Sequence, residues 1–161
     1  MNYELIINST STEVVLALLK NKQLIELHKE KHDNDFSVGD VYVGKVRKVI
    51  PSLNAAFVNV GYEKDAFLHY LDLGPQYRSM NGYIQKTLKG KQSSASLASS
   101  KIEADIDKHG KIKDILSSSQ LIAVQIAKEP ISSKGPRLTA EVTLAGRFVV
   151  FVPFSNKISI S

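Results

Sequence analysis

The chain has 161 residues, 43% of them hydrophobic and 23% charged, which suits one ordinary soluble domain or two small ones. It contains no cysteine, so a disulfide framework and thiolate metal sites are excluded. No apolar run approaches the roughly 18 to 20 residues of a membrane span, and Met1-Asn2-Tyr3-Glu4 lacks the basic start of a secretory signal. The expectation is a cytoplasmic protein with no membrane partner. The net charge of +5 is uneven. Residues 1–35 carry −2, residues 36–90 carry +3, residues 91–119 carry +1 and residues 120–161 carry +3. Basic surface of this kind favours a polyanion such as RNA through counterion release, although it also serves simple solubility.

In chain order, Tyr3 to Asn8 reads as a short strand. Thr10-Ser11-Thr12-Glu13 has the spacing of a helical capping box, but the apolar runs Val14 to Lys20 and Gln23 to His28 are short and meet at Asn21-Lys22. Asn tolerates the positive φ of a tight turn, so a hairpin is the preferred reading. From Ser37 the texture is β: a strand through Val41 to Val49, then runs around 55–60 and 65–69. Gly44 inside the first of these predicts a bulge or bend. Leu121 to Lys128 is a further strand, with Ile122, Val124 and Ile126 on one face. Short strands at this spacing predict a small barrel or sandwich.

Between those strands lies an insertion of about residues 74–119. Its centre, Lys89 to Lys101, is rich in Ser and Lys with little to bury, and is expected to be mobile. A short helix is expected near Ser79 to Leu88. After Pro130, Gly135 and Pro136, the run Phe148 to Val152 reads as a buried strand stopped at Pro153. The chain then ends without a closing element, as though cut from something larger.

Three segments carry candidate chemistry. In Leu53 to Val60, period two places Asn54, Ala56, Val58 and Val60 on one face and Leu53, Ala55, Phe57 and Asn59 on the other. In Asp65 to His69, Phe67 again falls opposite the apolar Ala66 and Leu68. Phe57 and Phe67 on polar faces are well placed as a stacking platform for bases; the alternative is ordinary core packing. Lys134 and Arg137 mark a basic turn after the strand Leu121 to Lys128, within reach of a phosphate or merely solvated.

Other patterns fail on inspection. Asp105-Ile106-Asp107-Lys108-His109-Gly110 starts like a calcium loop, but the fifth and twelfth positions hold His109 and Leu116 instead of oxygen ligands. His28 and His32 lack a third ligand for zinc. No nucleophile is matched with a base and no carboxylates cluster as a two-metal nuclease requires.

Taken together, Tyr42-Val43-Gly44-Lys45-Val46, Pro51-Ser52-Leu53-Asn54-Ala55-Ala56-Phe57-Val58, Asp65-Ala66-Phe67-Leu68, Val124-Gln125-Ile126, Lys128-Glu129, Lys134-Gly135-Pro136-Arg137-Leu138-Thr139 and Leu144-Ala145-Gly146 resemble the amino-terminal part of the bacterial ribonuclease E/G family. The resemblance implies a mainly β fold, α+β once the insertion is counted. Residues 1–35 would be a piece of an RNase H-like subdomain, a short β meander. Residues 36–130 would form an S1-type OB-fold, a five-stranded barrel. Residues 131–161 would begin a sensor for an RNA 5′-monophosphate. By position, Phe57 and Phe67 match RNA-contacting aromatics, Lys134 matches a basic RNA contact, and Gly146 and Val150 fall where that sensor lines its pocket.

The resemblance further implies single-stranded RNA as partner and Mg²⁺ as cofactor of a full-length, homo-oligomeric endoribonuclease in RNA processing. The family's metal-binding aspartates, its phosphate-clamping Arg and Thr and its zinc-linking cysteines lie downstream of Ser161. The chain is therefore expected to bind RNA without cleaving it, with no catalytic residue, metal ligand or cofactor of its own. Two other readings stay open: a free-standing OB-fold RNA-binding protein, and a protein-interaction module using the Phe pair as an apolar patch.

Overall fold

A computed structural model describes residues 2–31, 36–92 and 96–160. The chain divides into two compact units, Met1–Asp35 and Phe36–Ser161. In the first, β1 (Tyr3–Ser9), β2 (Glu13–Lys20) and β3 (Gln23–Lys31) form an antiparallel sheet in that order. Asn21 and Lys22 both have positive φ, as the two-residue turn between right-twisted strands demands. Thr10 serves a turn and not a helix: its hydroxyl accepts from the Glu13 amide at 3.2 Å. The preferred hairpin therefore forms. His32, half of the histidine pair considered above, lies outside the described residues.

The second unit is built on a closed barrel. Its strands are β4 (Val41–Ile50), β5 (Ala55–Asn59), β6 (Ala66–His69), β7 (Leu121–Lys128) and β8 (Arg137–Thr139). Around the barrel they run β4-β5-β6-β8-β7, closed by β7 pairing with β4. All neighbours are antiparallel except β6 and β8, which are parallel. This is the five-stranded mixed barrel of an OB-like fold. Period two sends Val46, Ala56, Val58, Ala66, Leu68, Ile122, Val124, Ile126 and Leu138 into one core, all at most 1% exposed.

Three features differ from expectation. The fifth strand lies beyond residue 130, so the barrel extends to Thr139; three residues with one parallel partner are too short for alternation to reveal. Gly44 makes no bulge. It is small because β4 passes tightly over β5, where an added Cβ would stand 2.6 Å from Val58 Cγ1. The bulge comes later, between Val46 and Lys48. Finally, Phe148 to Val152 is not buried. Only Val150–Phe151 is strand (β10), paired with β9 (Leu144–Ala145), and Phe148, Val149, Val150 and Phe151 are all at least half exposed. An apolar run shows that a strand wants cover, not that the described chain supplies it.

The insertion is more ordered at its flanks than its composition promises. Helix α1 spans Tyr77–Leu88, and single 3-10 turns occupy Tyr70–Asp72, Leu97–Ser99 and Ile112–Asp114. Tyr70, Leu73, Tyr77, Ile112 and Leu116 all join the barrel core. Ser93, Ser94 and Ala95, at the expected mobile centre, lie outside the described residues.

Candidate nucleic-acid interface

β5 and β6 are in register such that Phe57 faces Phe67 directly. Their neighbours on both sides, Ala56, Val58, Ala66 and Leu68, fill the core, so alternation turns both rings outward. The rings are half-buried, with centroids 5.9 Å apart and planes at 69°, a favourable edge-to-face pair. Neither belongs to the core cluster or to the aromatics packed against it, namely Phe36, Tyr42 and Tyr62. Core packing thus fails to account for either phenylalanine.

The pairing continues beyond the two rings. Lys48 on β4 is opposite Phe57, Arg137 on β8 is opposite Phe67, and Lys128 on β7 is opposite Arg137. Residues directly paired across strands project from the same face. The five strands therefore carry one row in the order Lys48, Phe57, Phe67, Arg137, Lys128. At about 4.8 Å per strand it spans an arc of roughly 20 Å. All three cations are exposed.

Lys48 and Lys128 were not singled out by sequence reasoning. Each enters the row through an irregularity: register shifts between Val46 and Lys48 on β4, and between Ile126 and Lys128 on β7. An unbroken strand would have kept Lys48 on the same face as Val46, towards the core. With the extra residue Arg47, both basic side chains are exposed. The only sequence signal was the Arg47-Lys48 pair itself.

Arg137 is pre-oriented. Its Nε and Nη2 donate to Asp72 Oδ2 at 3.1 and 2.9 Å, so one edge of the guanidinium is committed. Lys134 is exposed in a tight turn, where its amide donates to the Ile131 carbonyl at 3.0 Å. Gly135 brings that turn against the barrel. A Cβ there would lie 2.4 Å from the Asp65 carbonyl oxygen and 2.8 Å from that of Lys64. The next carbonyl, of Pro136, accepts from the Phe67 amide at 2.9 Å. Among the described residues no carboxylate pairs with Lys48, Lys128 or Lys134.

Comparison with known proteins adds descent to this geometry. The chain is 34% identical over 158 residues to ribonuclease G of Haemophilus influenzae, covering 98% of this chain and 28% of that protein. It is 32% identical over 161 residues to ribonuclease G of Escherichia coli K12, covering 100% of this chain and 29% of that protein. Against ribonuclease E of a Nostoc species, identity is 36% over 125 residues, 77% of this chain and 14% of that protein. The chain belongs to the ribonuclease E/G family. It spans less than a third of the length of these ribonuclease G relatives. No protein-family model matches it.

Of the six residues singled out for ribonuclease E/G function, the structure brings four to the barrel. Phe57, Phe67 and Arg137 are adjacent in the row, and Lys134 stands on the β7–β8 loop. Gly146 and Val150 lie apart from these, on the β9–β10 hairpin, where the Gly146 amide donates to the Val149 carbonyl at 2.8 Å. They line an open hollow together with Arg147 and Lys157. Among the described residues no three His, Asp or Glu side chains converge as ligands.

Proposed function

We propose that this chain is the RNA-binding amino-terminal portion of a ribonuclease E/G-type, single-strand endoribonuclease, and that single-stranded RNA lies across the Lys48–Phe57–Phe67–Arg137–Lys128 row. The row is the observation that carries this reading. Stacking rings supply sequence-tolerant affinity, and flanking cations meet the phosphates on either side. The tilt of the rings favours a single strand over a duplex. With planes 69° apart, bases stacked on the two rings cannot be parallel, and the strand must turn between them. A duplex holds its bases parallel and cannot make that turn.

The remaining assignments follow from the family relationship. The barrel, through Thr139, serves as the S1-type OB-fold domain, residues 1–35 as part of an RNase H-like subdomain, and the residues after Thr139 as the start of a 5′-sensor. In that sensor Gly146 and Val150 form part of a wall beside Arg147, facing a 5′-monophosphate. Lys134 reaches the RNA backbone from the β7–β8 loop. Cleavage with Mg²⁺, and assembly into a homo-oligomer, belong to the longer parent, a cytoplasmic enzyme of RNA processing and decay.

The test is fluorescence anisotropy of a labelled single-stranded RNA with wild type and Phe57→Ala/Phe67→Ala. At about 1 to 3 kcal/mol per stacked base, the double variant loses roughly 2 to 6 kcal/mol of binding. Unchanged affinity in a folded double variant contradicts the platform. No binding by the wild type at low salt contradicts RNA binding itself and favours an apolar protein contact.

A further inference from the structure

The insertion segment discarded above as a calcium loop is not a loose surface turn. Asn54, in the left-handed conformation at φ 47°, grips it from both sides: its Nδ2 donates to the Gly110 carbonyl at 3.1 Å, and its Oδ1 accepts from the Ile112 amide at 2.6 Å. Tyr70 donates its hydroxyl to the Asp107 carbonyl, and the Ile112 side chain is fully buried in the barrel core. Lys111 is thus held between two anchored neighbours, with Lys113 one residue past the second.

These lysines border an open hollow of about 380 Å³ whose wall includes Pro51, Asn54, His109, Lys111 and Lys113, and no carboxylate. Asp107 accepts from the His109 amide at 2.9 Å, and Asp107 and Asp114 act on the Tyr70 hydroxyl, whose pKa is raised first by burial and then by those charges. Lys111 and Lys113 are exposed, with no carboxylate partner among the described residues. Asn54 directly precedes β5, three residues before Phe57, or about 10 Å along the strand.

We infer that Lys111 and Lys113 form a second phosphate-binding subsite for single-stranded RNA, reached by a strand that continues from Phe57 along β5 towards Asn54. The inference rests on the RNA-binding reading and extends its footprint from the row to the end of the barrel. Asn54 positions the subsite: the residue that opens the aromatic strand also fixes the loop carrying the lysines.

The experiment compares uridine oligomers of about four and about twelve nucleotides, the range of OB-fold site sizes, by anisotropy over a salt series. Proteins are wild type, Lys111→Ala/Lys113→Ala, and Lys86→Ala/Lys89→Ala, a control with the same charge change at the exposed end of α1. Two lost phosphate contacts make the log–log salt slope for the long oligomer shallower by about 1.4, at roughly 0.7 per contact for single strands. The short oligomer and the control keep the wild-type slope. An unchanged long-oligomer slope in Lys111→Ala/Lys113→Ala, or an equal change in the control, overturns the subsite. If Phe57→Ala/Phe67→Ala still abolishes binding in that case, only the subsite falls. Failure of wild type to bind either oligomer overturns the subsite and the RNA-binding reading together.

Discussion

Phe57 and Phe67 reach the outside of the barrel because Ala56, Val58, Ala66 and Leu68 claim the inside. That alternation is legible in sequence, and so is the choice of two aromatics for the outer face. What sequence could not give is which cations stand beside them, since a bulge shifts every later side chain on its strand. Lys48 tests this point. Lys48→Ala is expected to make the salt slope of RNA binding shallower by about 0.7, one phosphate contact, with thermal stability unchanged. A second residue-scale expectation concerns Gly135, whose missing side chain admits the Lys64 and Asp65 carbonyls. Both obstacles are backbone and cannot rotate away. Gly135→Ala should therefore cost about 1 to 3 kcal/mol in a denaturant titration, the usual range for overpacking, as the β7–β8 loop is forced off β6.

At the level of elements, β4 to β7 were readable because each alternates over at least four residues or forms a continuous apolar run between turn signals. β8 was not, being three residues held by long-range pairing with β6 and β7. The β9–β10 hairpin shows the opposite error, in which an apolar stretch was read as buried. Helix α1 formed as expected, two residues longer at its start, and is anchored by Tyr77, 4% exposed, whose hydroxyl accepts from Gln120 Nε2 at 3.1 Å. Burial raises the Tyr77 pKa well above the ordinary phenol value. The folded state therefore holds a proton that the unfolded chain releases near pH 10. This contribution to stability is complete below pH 10 and is lost as pH rises above it. Denaturant midpoints should fall as pH rises from about 10 to about 11.5, and fall less in Tyr77→Phe; an equal fall in both would assign the effect to other groups.

On the scale of the whole chain, the two units have separate roles in this account. Among the described residues the buried core cluster, the row and the Lys111–Lys113 hollow all belong to the barrel unit, whereas the β1–β3 sheet presents exposed apolar residues, Leu5, Ile6, Ile7, Leu24, Ile25 and Leu27, and no net charge. Residues 36–161 expressed alone should bind single-stranded RNA within about twofold of the full chain, a difference of about 0.4 kcal/mol. Affinity lower by tenfold or more would assign part of the interface to the first unit. Strand spacing narrowed the fold to a small barrel or sandwich and contiguous motifs pointed to the family and its OB-type barrel, but the row is a property of the closed barrel, since it joins residues 48, 57, 67, 137 and 128 through cross-strand register.

The most direct test of that row is photochemical crosslinking of a uridine-rich single strand to the intact chain, with adducts located by mass spectrometry. RNA lying across the row predicts adducts on the peptides that contain Phe57 and Phe67, diminished by unlabelled competitor RNA. Adducts confined to the β1–β3 sheet or to the Leu144–Phe151 hairpin, with none on those two peptides, would contradict it.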